Sequence, residues 1–301
     1  DVLLGACLAV LVVVAVLAWR LRPGRIAALT TAVNVVAVLL VALTLLDIVP
    51  HELSRGTVAA TPSDTQRPAA APGSRDIWFL VFDRYGNEDA MRDAAGVEND
   101  LPSWLESQGF VVAPAARANY GRTTMSLAAT LNMTYLDDVA ARMGPDTDDA
   151  TPLNDMLQGH AVGRFLQDHG YRYVHIGSWF APTKTNSIAD ENPVLSTQTD
   201  FGTLLDDTTL GATIDEMLGV KVPPKHHLLH RAAALFDWNE LDRVSKEAGP
   251  KFVFGHVLLP HEPYVFKANG EYSELSEEDS RFSSAGQAAQ LAYTNDHIRG
   301  L

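Results

Sequence analysis

Two long apolar stretches at the amino end constrain this chain more than anything that follows. Val2 to Trp19 is an uncharged run of about eighteen residues and Ile26 to Leu46 one of about twenty-one, each close to the length of helix that crosses the hydrocarbon core of a bilayer. A secretory signal has a single shorter apolar core followed by a small-residue cleavage site, so the pair reads as two transmembrane helices, 2–19 and 26–46. "RLRPGR" joins them, and Arg20, Arg22 and Arg25 in so short a loop put it on the cytoplasmic side. Everything after about residue 50 is then expected outside the cell membrane, in a multi-pass protein partnered by the lipid bilayer. Asp1 opens the chain in mid-hydropathy, and the sequence is expected to be a fragment preceded by further membrane helices.

Charge supports that placement. The first 60 residues hold four of the 23 basic and three of the 37 acidic residues, leaving 19 basic against 34 acidic afterwards. So acidic an outer part repels nucleic acid, while a bound divalent cation offsets the charge locally. Cys7 is the only cysteine and falls in the first apolar stretch, which excludes disulfides, a thiolate metal site and a cysteine nucleophile from the outer part.

The organisation divides into three. Residues 1–50 carry the membrane helices. Residues 51–75 are a linker, rich in Ala, Pro, Ser and Thr without periodicity. Residues 76–301 are an extracytoplasmic domain. There "IWFLVF" (77–82), "RYVHIG" (172–177) and "KFVFGHVLL" (251–259) are short apolar runs of the kind that form strands buried on both faces, and "FVVA" (110–113) offers another. Between them, Leu101, Trp104, Leu105 and Phe110 form a helical stripe ending at Gly109, and 126–133 and 226–244 are helix-like. Strands alternating with helices predict an α/β sandwich around a mostly parallel sheet.

In such sheets ligands bind beyond the carboxyl ends of the strands. Asp83 directly follows the first strand, where its carboxylate is a candidate hard oxygen ligand for a metal; the plainer reading is a loop or cap aspartate. In "NYGRTTMSLAATLNM" (119–133) a helix beginning near Thr124 puts Thr123 at its positive end, which favours an anion and eases ionisation of a hydroxyl. Thr123 is therefore a candidate nucleophile, and Thr123 or Thr124 as a simple N-cap is the alternative. A threonine nucleophile needs a strong activator, such as a metal shared with Asp83. Arg122, just before it, is a candidate bidentate phosphate ligand.

The succession "IWFLVFD" (77–83), "LESQGFVVAPAARANY" (105–120), "TTMSLAATLN" (123–132) and "HVLLPHEPY" (256–264) resembles the sulfatase-like branch of the alkaline phosphatase superfamily over roughly residues 76–301. The resemblance implies an alkaline-phosphatase-like α/β/α sandwich. Threonine at the first position of the nucleophile motif is similar to lipoteichoic acid synthases and phosphoethanolamine transferases, in which it attacks phosphorus. Where sulfatases place Gly-Lys-Trp-His, this chain has Gly177-Ser178-Trp179-Phe180, and position 123 is neither Cys nor Ser, so a formylglycine is excluded. Both departures favour phosphoryl over sulfate chemistry. "HVLLPHEPY" is similar to the transferases' histidine motif, which implies that His256 and His261 contact substrate phosphate or assist the leaving group. A buried strand histidine bonded to backbone is the other reading of His256.

The remaining histidines read as structural: His226, His227 and His230 as the solvated face of a helix, and His160, His169 and His175 as scaffold. The resemblance also implies a second pair of metal ligands beyond "YTNDHIRGL" (293–301), in which Asp296 and His297 belong to a helix. The metal site, with Asp83 and Thr123 as ligands, is thus expected to be incomplete. Arg84 stands where sulfatases have a second aspartate, which points to one ion, Zn²⁺ or Mn²⁺. The expected protein is a metal-dependent transferase of a phosphoryl-linked headgroup from a phospholipid or phosphorylated glycan. Its alternatives are a phosphodiesterase or other hydrolase on the same scaffold, and a non-catalytic envelope protein.

Overall fold

The computed structural model describes residues 30, 31, 33–40, 42, 68–195, 225–276 and 278–301. The chain divides into two units, Asp1–Thr61 and Pro62–Leu301. In the first, the described part of the expected second span is helical, with Val33, Val35, Val36, Val38, Leu39 and Leu40 each more than half exposed. The expected span 2–19 lies outside the described residues. Among the described residues no helix is long and apolar enough to cross a membrane.

The second unit is α/β with a small parallel sheet. Its strands are β1 (Ile77–Phe82), β2 (Arg172–Ile176) and β3 (Lys251–Val257), ordered β1-β3-β2 and parallel throughout. All three coincide with the apolar runs, and β3, central in the sheet, is buried at every position, as a strand covered on both faces must be. The described helices are α1 (Glu88–Ala95), α2 (Leu101–Ser107), α3 (Thr123–Asn132), α4 (Asp137–Met143), α5 (Thr151–Gln158), α6 (Ala161–Asp168), α7 (Lys225–Ser245), α8 (Asp279–Phe282) and α9 (Ser284–Gly300).

Alternation along the strands sorts these helices into two layers. On one face Phe79, Val81, Tyr173, Phe252 and Phe254 pack with Leu127, Ala128 and Leu131 of α3, Leu157 of α5 and Leu166 of α6. On the other, Trp78, Leu80, Phe82, Val174, Ile176, Val253 and Val257 meet Ala234, Trp238, Leu241 and Val244 of α7 and Tyr293 of α9. Gly255 sits mid-strand because a Cβ there would press to 3.1 Å on the Leu80 side chain and 3.7 Å on Leu241. Its absence lets α7 settle onto the sheet.

Two expectations need correction. Residues 110–113 form no strand; Phe110 and Val111 are 62% and 98% exposed, so no neighbour offers the backbone pairing a strand requires. Nor are the α7 histidines a solvated face, since His227 and His230 are buried. The helix lies between the sheet on one side and other segments on the other: His227 reaches the hydroxyls of Tyr272 and Ser280, both at 3.2 Å, and His230 receives Trp179.

Candidate functional site

Asp83 leaves the carboxyl end of β1, its amide still donating to the Val257 carbonyl at 2.9 Å. Continuing the alternation, residue 83 falls on the face of Phe79 and Val81, and His256 on the face of Phe252 and Phe254. That is the layer holding α3, whose first residue is Thr123. The structure therefore brings Asp83 and His256 together, with Nε2 of His256 3.5 Å from Oδ2 of Asp83. It also sets the Thr123 helix on the same side of the sheet.

The Asp83 carboxylate is prepared for an ionised role. Burial pushes its pKa up, but the approach of the His256 imidazole, the charge of His261 and the Arg84 amide, which donates to Oδ1 at 2.9 Å, hold it below the ordinary carboxylate value. Arg84 takes up a left-handed backbone, φ 60°, and its guanidinium meets Glu262 at 3.3 Å.

His261 is part-exposed, with Nδ1 bonded to the Glu262 carbonyl at 2.5 Å and its ring edge-on to Trp179. Its loop is bracketed by cis peptides before Pro260 and Pro263. Fully buried Gln290 of α9 secures it, donating to the His261 carbonyl at 2.7 Å and accepting from the Val265 amide at 2.8 Å.

Thr123 is half-buried at the first position of α3, and neither it nor Thr124 is the cap. That place belongs to Arg122, extended at φ −128°, ψ 137°, with no side-chain capping bond. The positive end of this helix is thus left to whatever approaches it. Arg122 itself is exposed. Nearby, Ser126 donates to Asn119 at 2.5 Å, tying the preceding loop to the helix.

His256 is a buried strand histidine, yet its ring bonds to side chains rather than to backbone. Nδ1 lies 2.8 Å from the Thr183 hydroxyl, which is 2.8 Å from that of Ser178. Sequence reasoning missed both residues. The available signal was position, since Gly177-Ser178-Trp179 follow β2 at the binding end of the sheet. Gly177 is required there because a Cβ would overlap the Lys184 carbonyl oxygen as the loop folds back to deliver Thr183.

A second line of buried hydrogen bonds runs behind this pair. Nδ1 of His160 accepts from the Gly163 amide at 2.9 Å, capping α6, and Nε2 lies 2.8 Å from the Tyr173 hydroxyl. That hydroxyl is 3.1 Å from Nδ1 of His175, whose Nε2 donates to the Thr183 carbonyl at 2.9 Å. Burial drives both imidazoles down to about 4, so both are neutral at physiological pH. His169, by contrast, is exposed and bonds the Phe165 carbonyl at 2.7 Å.

Whether a divalent cation suits this site is decided by the donors. Asp83 is kept ionised, Oδ2 is not held by backbone, and a threonine hydroxyl is a second oxygen donor in the same layer. Oxygen donors are the class that hard divalent cations such as Mn²⁺ take. Among the described residues no group of three or more His, Cys, Asp or Glu is placed to hold a metal ion. Asp296 and His297 lie in α9, and the His297 ring packs on Trp238 and Tyr293.

Comparison of the chain with protein-family models, with curated proteins and with solved structures finds no match.

Proposed function

We propose that this chain is a membrane-anchored transferase of the sulfatase-like type that moves a phosphoryl-linked headgroup onto an envelope lipid or glycan, with Thr123 as nucleophile. The observation that carries the reading is the pairing of strand-end Asp83 with His256, in the layer whose helix begins at Thr123. The resemblance in the nucleophile and histidine motifs supplies the reaction class.

In the first step the Thr123 oxygen attacks phosphorus and loses its proton. The bond from phosphorus to the donor alcohol breaks, and that alcohol leaves carrying a proton. In the second, an acceptor hydroxyl forms the new bond to phosphorus and Thr123 regains its proton as it is displaced. The helix terminus at Thr123 favours the developing alkoxide. His261, whose ring is part-exposed, would bind a phosphoryl oxygen or protonate the leaving group. Asp83 and Thr123 would hold a divalent cation, which would supply Lewis acidity at the Thr123 oxygen.

The test uses the full-length protein in membranes with a headgroup-labelled phospholipid and added Mn²⁺ or Zn²⁺. Wild type is expected to transfer label to lipid or glycan and to yield a phosphorylated peptide containing residue 123. Thr123→Ala should lose both, by at least about a hundredfold in rate. Unchanged transfer by Thr123→Ala removes the nucleophile. Label released to water identifies the hydrolase, and inactivity of both proteins favours a binding role.

A further inference from the structure

Hydrogen-bond direction along the line behind His256 follows from groups whose roles cannot be exchanged. The Gly163 amide can only donate, so Nδ1 of His160 is an acceptor and its hydrogen sits on Nε2, pointing at the Tyr173 oxygen. From the other end, the Thr183 carbonyl can only accept, so the hydrogen of His175 is on Nε2 and its Nδ1 accepts. The two constraints meet at Tyr173. Its oxygen accepts from His160 and its hydrogen goes to His175, with no donor or acceptor left over. This satisfied line holds the backbone of Thr183 in one place.

The side chain of Thr183 is directed from the other side of the imidazole. The Phe180 amide donates to the Ser178 oxygen at 3.2 Å, and between the Ser178 and Thr183 hydroxyls, 2.8 Å apart, either oxygen can donate. The Thr183 hydrogen thus has the Ser178 oxygen, Nδ1 of His256 at 2.8 Å and the Phe180 carbonyl at 3.4 Å within reach. The Asp83 carboxylate decides among them. Its Oδ2 lies 3.5 Å from Nε2 of His256, an atom buried without a hydrogen-bond partner, and its negative charge favours a hydrogen on that nitrogen, which leaves Nδ1 to accept from Thr183.

We infer that Thr183 is a positioning residue that fixes His256 in the Nε2–H tautomer, so that His256 offers a hydrogen-bond donor, not a base or a metal ligand, to the anionic oxygen bound beside Asp83. The functional half of this rests on the transferase reading, and the ligand class it implies is a phosphoryl group. The tautomer itself does not depend on that reading.

The experiment is ¹⁵N spectroscopy of the histidine-labelled full-length protein in detergent near neutral pH, with the His256 signals assigned by their loss in His256→Gln. Wild type should show a pyrrole-type Nε2 and a pyridine-type Nδ1. Thr183→Val, which keeps the shape and removes the hydroxyl, should lose that pattern, and Thr183→Ser should restore it. In the headgroup-transfer assay Thr183→Val should lower kcat about tenfold with little change in KM, again restored by serine. A pyrrole-type Nδ1 in wild type, measurable even if the valine variant does not fold, overturns the inference. So does a pattern unchanged in Thr183→Val. If wild type shows the expected pattern but no transfer, the transferase reading fails and the tautomer assignment stands.

Discussion

At the amino ends of the strands nearly every charge is answered, whereas at the carboxyl ends several buried polar atoms are not. The amino edge holds buried Lys251 against Asp76 and the Glu247 carbonyl. Arg172 there pairs with Glu191 and Glu247, and Arg243 with Glu191, Glu240 and Glu247. At the carboxyl edge, Nε2 of His256, Nε2 of His230 and Oε2 of Glu262 are buried with no hydrogen-bond partner. Orphaned polar atoms cost stability, and on the proposed reading a bound phosphoryl group would complete this set.

That contrast breaks most visibly at Asp76. Asp76→Ala leaves the Lys251 ammonium buried and unpaired, and urea unfolding should show a loss of about 3–5 kcal/mol. The same charge deletion at the other edge, Asp83→Asn, should leave the melting temperature close to wild type. Its headgroup transfer should nevertheless fall about a hundredfold, a barrier increase near 2.7 kcal/mol. If Asp83→Asn instead unfolds the protein and transfer per folded molecule is unchanged, the carboxyl edge is structural as well.

Acid separates the edges by a third route. The Arg172 hydrogen bond keeps Glu247 ionised below its ordinary range, so the closed edge holds as pH drops. His160 and His175, however, titrate at about 4 when folded and near 6.5 when unfolded. Their contribution is complete above pH 6.5 and is lost as pH falls toward 4, because the unfolded chain takes up protons first. Thermal melts from about pH 7 to about pH 4.5 should show stability falling by roughly 1.4 kcal/mol per pH unit for each ring, and a flat profile would contradict their neutral burial. The smallest effect belongs to Arg84, 61% exposed in its pair with Glu262. Arg84→Ala should shift stability by less than about 1 kcal/mol, measured by the same melts.

The strands were legible because "IWFLVF", "RYVHIG" and "KFVFGHVLL" are short apolar runs bounded by polar residues, the pattern of strands in a covered parallel sheet. The start of α3 was legible to within a residue, and Asp83 announced itself by following a strand. His227 and His230 were not readable as buried. The string "HHLLHR" looks polar, and the hydroxyls of Tyr272 and Ser280 that satisfy His227 lie 45 and 53 residues away. Thr183 was hidden for the same reason, being 73 residues from His256. "FVVA" misled in the opposite direction, since its β-forming composition met no partner strand.

The order β1-β3-β2 carries one more consequence. The first two strands never touch; each is joined to the sheet only through Lys251–Val257. Among the described strands, β1 and β2 find their common neighbour only once residue 257 has emerged, and each of these pairings must close a long loop. Any shortened version ending before residue 251 is thereby denied its central layer altogether. Of the three described strands, the last to arrive is the one that joins the other two.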